Sequence, residues 1–238
     1  MKIEKLPKII PSETIVWVDS EGVLSKYNII SYLFSCKPFL ALSSIANGAI
    51  ETFRVKIQNY EINFIEELIK KCKKYYERNM DSSELYNLGK FIFHNQPENH
   101  KKNLIDLFNI LKEYSDFYVI TSAYKKIVKG FLSCLPEDIQ PKEENIYGSE
   151  KGKFIGSDEK AAIVESLKKK TNKKIIGIGD SKQDEKALEK SDVRCVISSL
   201  MNKLMPIKTG KYKFEDLSSL KNFLSLILFD YELHYFGT

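Results

Sequence analysis

Residues Val16 to Leu24 read VWVDSEGVL. An apolar, β-type run ends in a carboxylate, Asp19, and Ser20, Glu21 and Gly22 come directly after it. Open α/β sheets bind ligands at the carboxyl ends of their strands. A strand-end Asp beside a glycine turn therefore lies at a binding edge. Many strands end in Asp and a turn, so this stretch gains its weight from three later segments of the chain.

The first run begins at Thr14, as TIVWVD, and three similar runs lie downstream: FYVIT (Phe117–Thr121), KIIGIGD (Lys174–Asp180) and RCVIS (Arg194–Ser198). Near-continuous apolar, β-branched runs are typical of strands buried on both faces of a parallel sheet. Helical spacing appears between them. Leu104, Leu107, Phe108 and Leu111 recur within Lys101–Tyr114, and Ala162, Ile163, Ser166 and Leu167 within Glu159–Lys170. The alternation predicts an α/β fold with a doubly wound parallel sheet.

One stretch breaks the alternation. From about Ser25 to Gln96 no buried strand is expected, and the spacing predicts helices, including Ile62–Tyr76 with Phe64, Ile65, Leu68 and Ile69 on one face. The chain then divides into a core, 1–25 and 97–238, and an inserted helical cap, 26–96. An insert after the first strand's turn rises above the sheet's carboxyl edge, where it can cover a site like a lid. Asn95–Gln96–Pro97 marks the return to the core, because Pro disfavours helix in the residue before it.

Four segments carry chemistry in a fixed order. In DSEGVL, Asp19 can attack phosphorus as a nucleophile, and Glu21 can protonate a leaving oxygen and then activate water. Gly22 permits the tight turn between them. In FYVITSA, Thr121 and Ser122 can bind a phosphoryl oxygen beside the N–H groups of the next helix. Taken alone, that pair is more often an ordinary N-cap. Lys160, in SDEKAAIVESL, can balance the charge of Asp19 and a phosphoryl group, although an isolated Lys is usually solvated. In GDSKQD, Asp180 and Asp184 lie just beyond a strand end and can both reach one hard cation, for which Mg²⁺ is suited. A capped helix start explains an isolated GDSxxD about as well.

Together these residues resemble the haloacid dehalogenase (HAD) superfamily. DSEGVL is similar to that family's first motif, Thr121 to its second, Lys160 to its third and GDSKQD to its fourth, over roughly the whole chain. The phosphoserine-phosphatase-like subgroup is the most similar, and the insert resembles a C1-type helical cap. The resemblance implies a HAD-like Rossmannoid core with Asp19 as nucleophile. It implies Mg²⁺ held by Asp19, the main-chain carbonyl of Glu21, Asp180 and Asp184, with Thr121 and Lys160 on the phosphoryl group. Gly22 and Ser122 would line the substrate. Glu21 departs from the pattern, since the family has Asp there. One methylene moves the carboxylate by about 1.5 Å, a displacement that can cost about 10²-fold in rate.

Bulk properties narrow the class. The 238 residues are 43% hydrophobic, enough for a sizeable core. The formal charge of +5 comes from 37 basic and 32 acidic residues. Its densest runs, Lys70–Arg78 and Lys168–Lys174, read as solvated faces, so no nucleic-acid partner is expected. Cys36, Cys72, Cys134 and Cys195 form no CxxC pair, so no zinc site is expected. The start, MKIEKLPKII, lacks a long apolar stretch and no run approaches about 18 apolar residues, so neither a signal peptide nor a membrane span is expected. These features point to a soluble, cytoplasmic protein. The C-terminal LKNFLSLILFDYELHYF reads as a packed helix or a homodimer contact.

The reading is a Mg²⁺-dependent phosphatase acting on a small phosphorylated substrate through an aspartyl-phosphate. Its rivals are a catalytically impaired phosphate-binding or regulatory protein with the same fold, and a dehalogenase. Asp180 and Asp184 count against the dehalogenase, because displacing halide from carbon does not need Mg²⁺. Tyr27, Phe34, Phe53 and Arg54 are candidates for selecting the substrate or for packing the cap.

Overall fold

A computed structural model describes residues 7, 9–26, 32, 35, 37–58, 64–199, 203 and 206–235. Six strands form one sheet: β1 (Thr14–Val18), β2 (Asp116–Tyr124), β3 (Ile146–Ser149), β4 (Lys174–Gly179), β5 (Val193–Ile197) and β6 (Tyr212–Phe214). Their order is β3-β2-β1-β4-β5-β6, and every neighbouring pair is parallel. The fold is α/β, as the alternation predicts. β1 is buried at all five positions. It lies at the centre because TIVWV suits a strand packed on both faces.

Alternate residues of the strands supply two cores. Val16, Val18, Ile176, Ile178 and Cys195 face α4 (Glu98–Tyr114), α5 (Lys125–Leu132) and α8 (Leu217–Tyr235). Ile15, Trp17, Ile175 and Val196 face α6 (Ser157–Thr171) and α7 (Glu185–Glu189). Trp17 is fully buried, and its ring N–H donates to Ser191 Oγ at 2.9 Å, so burial costs it no hydrogen bond. The C-terminal segment forms the packed helix α8, with Leu217, Leu220, Leu224 and Leu228 buried.

Two strands, β3 and β6, go beyond the four that the sequence suggests. They have four and three residues, stand at the two edges, and are too short to show a period.

The segment between β1 and α4 is helical, in α1 (Pro38–Gln58), α2 (Phe64–Asn79) and α3 (Ser82–His94). α1 packs on α2. α3 starts at a capping box made by Asp81 and Glu84, then crosses α5 at very close range. A Cβ on Gly89 would lie 2.0 Å from Ile127 O, and one on Gly130 would lie 1.9 Å from Tyr86 O. Only glycine allows this approach. The insert meets the carboxyl edge of the sheet. Lys70 of α2 lies 5.9 Å from the ring of Phe154, in the loop beyond β3. Tyr27 and Phe34, and the side chains of Phe53 and Arg54, lie outside the described residues. Among the described residues, no helix is long and apolar enough to cross a membrane.

Candidate active site

The chain runs outward from β1 to β2 and β3, then returns to β4 on the other side of β1. β1 and β4 therefore flank the topological switch point, where a crevice opens at the carboxyl ends of the strands. The register places Val18 opposite Ile178, and Asp19 N–H donates to Ile178 O at 3.0 Å. Asp19 and Asp180 thus leave adjacent strands side by side.

Four residues singled out by the sequence meet here. Carboxylate oxygens of Asp19, Asp180 and Asp184 all lie within 4.8 Å of one another. Lys160, which is 0% exposed, places Nζ 2.6 Å from Asp184 Oδ1 and 3.2 Å from Asp19 Oδ1. Its position is set by α6, whose first turn points at the crevice. Asp184 Oδ2 also accepts from Asp180 N–H, Ser181 N–H and Ser181 Oγ at 3.0, 3.1 and 3.3 Å. The capped-turn reading of GDSKQD holds, and the same Asp184 carboxylate also lies within reach of Asp19 and Asp180.

The loop after β1 is tightly closed. Gly22 N–H donates to Ser25 O at 2.9 Å, and Ser25 N–H to Ser20 O at 2.8 Å. Gly22 has φ +80°, and a Cβ there would lie 1.9 Å from an Asp180 carboxylate oxygen. Conformation and space both require glycine. Glu21 is half-buried on this loop and is close enough to raise the pKa of Asp19.

The Thr121 side chain lies near enough to Asp19 to lower its pKa. Its Oγ1 accepts from Ala123 N–H at 3.1 Å and lies 2.7 Å from Ser20 Oγ. The N-cap role does not hold, because the N-cap of α5 is Tyr124 and no side chain caps the helix. Ser122 Oγ donates to Gln183 Oε1 at 3.1 Å.

Three further residues join the site without a signal in the sequence. Ser20 N–H donates to Asp19 Oδ1 at 2.8 Å and helps to fix the carboxylate. Ser199, just beyond β5, donates to Asp180 Oδ2 at 2.5 Å. Gln183 is 8% exposed, and among the described residues its buried amide nitrogen has no hydrogen-bond partner. Such a donor costs free energy unless a ligand accepts from it.

The electrostatics are unbalanced. With all three carboxylates ionised, the single ammonium leaves an excess of two negative charges in a buried crevice, and the protein resists that state. Burial, then Asp184, raise the pKa of Asp19 to about 6, against the opposing pull of Lys160. Burial, then Asp184 and Asp19, push Asp180 well above the usual carboxylate range. Burial alone would lower the pKa of Lys160, but Asp184 and Asp19 outweigh it and keep the ammonium charged. An all-oxygen donor set with an excess of two negative charges fits a hard divalent cation such as Mg²⁺.

Stability should therefore depend on pH. Asp19 binds its proton more tightly folded than unfolded, so its contribution to stability is complete below pH 3.8 and lost as pH rises to about 6. The loss is on the order of 3 kcal/mol. In EDTA, the wild type should lose stability over this window relative to Asp19→Asn, and Mg²⁺ should restore it at pH 7. Asp180→Ala should remove the rise in Tm with Mg²⁺. A Mg²⁺ response that survives Asp180→Ala would take Asp180 out of the metal site.

No family model matches the chain, and no curated protein matches it. Solved structures do. A phosphoserine phosphatase from T. onnurineus, in complex with NDSB-201, is 15% identical over 93% of this chain and 98% of its own, with a TM-score of 0.57. A phosphoserine phosphohydrolase-like protein from Francisella tularensis is 15% identical over 88% and 98%, with a TM-score of 0.59. An L-2-haloacid dehalogenase from Xanthobacter autotrophicus, with chloropropionic acid covalently bound, is 9% identical over 89% and 97%, with a TM-score of 0.51. The chain shares their HAD fold.

Proposed function

We propose that this HAD-fold chain is a Mg²⁺-dependent phosphatase that hydrolyses a small phosphomonoester through an aspartyl-phosphate. The observation that carries the reading is the buried cluster of Asp19, Asp180 and Asp184 around Lys160 at the switch point. The fold is common to phosphatases and a dehalogenase, so the choice rests on the site. Attack on a neutral carbon–halogen bond gives no use to two extra buried negative charges, whereas a cation-bound phosphoryl group does.

In the first step, an oxygen of Asp19 attacks phosphorus, the P–O bond to the alcohol breaks, and Glu21 gives its proton to the departing oxygen. In the second, Glu21 takes a proton from water, the water oxygen attacks phosphorus, and the bond to Asp19 breaks. Ser20 N–H and Lys160 fix the rotation of the Asp19 carboxylate. In this reading Lys160 and Thr121 hold phosphoryl oxygens, and the buried amide nitrogen of Gln183, beside Ser122, is a further candidate donor. Asp19, Asp180 and the Glu21 carbonyl would hold the cation, with Asp184 behind them. When bound, Mg²⁺ neutralises charge on the phosphoryl oxygens and on the carboxylates that approach them. Free thiols at Cys72, Cys134 and Cys195 fit a reducing compartment, which makes the cytoplasm part of the same reading.

Turnover of p-nitrophenyl phosphate with Mg²⁺, lost in EDTA, is the expected result. Failure on every ester in a panel of phosphorylated metabolites would leave the impaired, phosphate-binding reading in its place. Glu21 decides between the two. Glu21→Gln keeps the shape and the main-chain carbonyl, so it should lower turnover about 10²-fold or more with little loss of Mg²⁺ binding. Glu21→Asp should also lower turnover if the site is adapted to the longer side chain. Equal rates for wild type and Glu21→Gln would show that Glu21 is not the acid.

A further inference from the structure

The loop that carries Glu21 contains three peptide units that hold one another. In a trans peptide the C=O and the N–H point in opposite directions, so fixing one end aims the other. The Glu21–Gly22 unit donates its N–H to Ser25 O at 2.9 Å, so Glu21 O faces away from Ser25. Ser25 O belongs to the Ser25–Lys26 unit, whose N–H donates to Gln96 Oε1 at 3.0 Å. The Leu24–Ser25 unit donates its N–H to Ser20 O at 2.8 Å. Its other end, Leu24 O, accepts from His100 Nε2–H at 2.9 Å, since a carbonyl can only accept.

Two side chains from outside the loop therefore grip the peptides on either side of Ser25. Both stand where the chain returns from the insert to the core. Gln96 is 3% exposed, and its amide nitrogen also donates to Tyr32 Oη and to Ile92 O in the last turn of α3. His100 lies in the first turn of α4, which packs on the sheet. The loop is thus tied to a rigid element of the core rather than left to its own short-range bonds. We infer that His100 is a positioning residue for Glu21, holding with Gln96 the loop from which Glu21 reaches the site. The role rests on the reading of Glu21 as the acid in the reaction proposed above.

His100→Leu removes the donor, whereas the side-chain amide of His100→Gln can place an N–H near the same carbonyl. With saturating Mg²⁺, His100→Leu should lower kcat/KM about tenfold for phenyl phosphate. Phenolate is about as basic as a tyrosine side chain, with a pKa of about 10, and needs its proton as it leaves. The less basic p-nitrophenolate does not, so p-nitrophenyl phosphate should lose less than about threefold. His100→Gln should restore most of the loss. In a Glu21→Gln background His100→Leu should cost less than about twofold, because no acid remains to be aimed. Equal losses on both esters, or the full loss in the Glu21→Gln background, would overturn the inference. Amide hydrogen exchange in EDTA gives a readout free of turnover. In His100→Leu the Gly22 and Ser25 amides should exchange about tenfold faster, with Ile176 and Ile178 in β4 unchanged. Unchanged rates at Gly22 and Ser25, or faster exchange in β4 as well, count against the role. If the wild type turns over no ester, the phosphatase reading fails and the exchange rates alone judge His100. His100→Asn, too short to reach Leu24 O, replaces His100→Leu if that variant does not fold. Failure of both to fold would mark His100 as a residue of the fold and end the proposal.

Discussion

Asp19→Asn is expected to reduce phosphomonoester turnover by at least about 10⁴-fold, to the level of background hydrolysis. Removing a nucleophile removes the covalent path, and the remaining site retains only the rate that positioning and electrostatics supply. The amide keeps the shape of the carboxylate and an oxygen that can accept from Ser20 N–H, so the fold should persist. It also deletes one of three buried negative charges, so in EDTA at pH 7 the variant should be at least as stable as the wild type. The combination is diagnostic, because a variant that merely damaged packing would lose both activity and Tm. Turnover within about tenfold of wild type, with Mg²⁺ present, would rule out Asp19 as the attacking group.

The parts of this site that are legible in the sequence are those tied to strand ends. Asp19 and Asp180 each end a continuous apolar run, and a parallel sheet must bring such ends to one edge. Lys160 has no local signature. It lies in SDEK, among charged residues that would suit any exposed helix, and only its order relative to the other motifs singles it out. Ser199 and Gln183 are not legible at all. The first reaches Asp180 from beyond a different strand, and the second matters through an unpaired buried atom, which is a property of packing. The short edge strands β3 and β6 are hidden for a similar reason, since three or four residues do not show a period.

Lys160→Gln tests the electrostatic account most severely. The ammonium is fully buried and is the cation in contact with both Asp19 and Asp184. Breaking a buried ion pair by removing one partner costs about 3–5 kcal/mol, because the other charge is left in a poor solvent. That is a large part of the roughly 5–15 kcal/mol that usually separates folded from unfolded chains. In EDTA at pH 7 the variant should therefore unfold at much lower urea concentration than the wild type. The deficit should shrink as pH falls. Without Lys160, Asp19 and Asp180 lose an interaction that lowers their pKa values, so Asp19 should take up a proton above its present value of about 6. Protonation then removes the charge that made the deletion costly, and stability returns below that pH. Mg²⁺ should recover part of the loss at pH 7, because it supplies positive charge to the same oxygens. Turnover should stay low even where stability is recovered, since Gln has no charge to offer a phosphoryl group. A deficit of the same size at pH 5 and pH 7 would mean that Lys160 acts by packing alone, and the charge balance drawn for the crevice would be wrong.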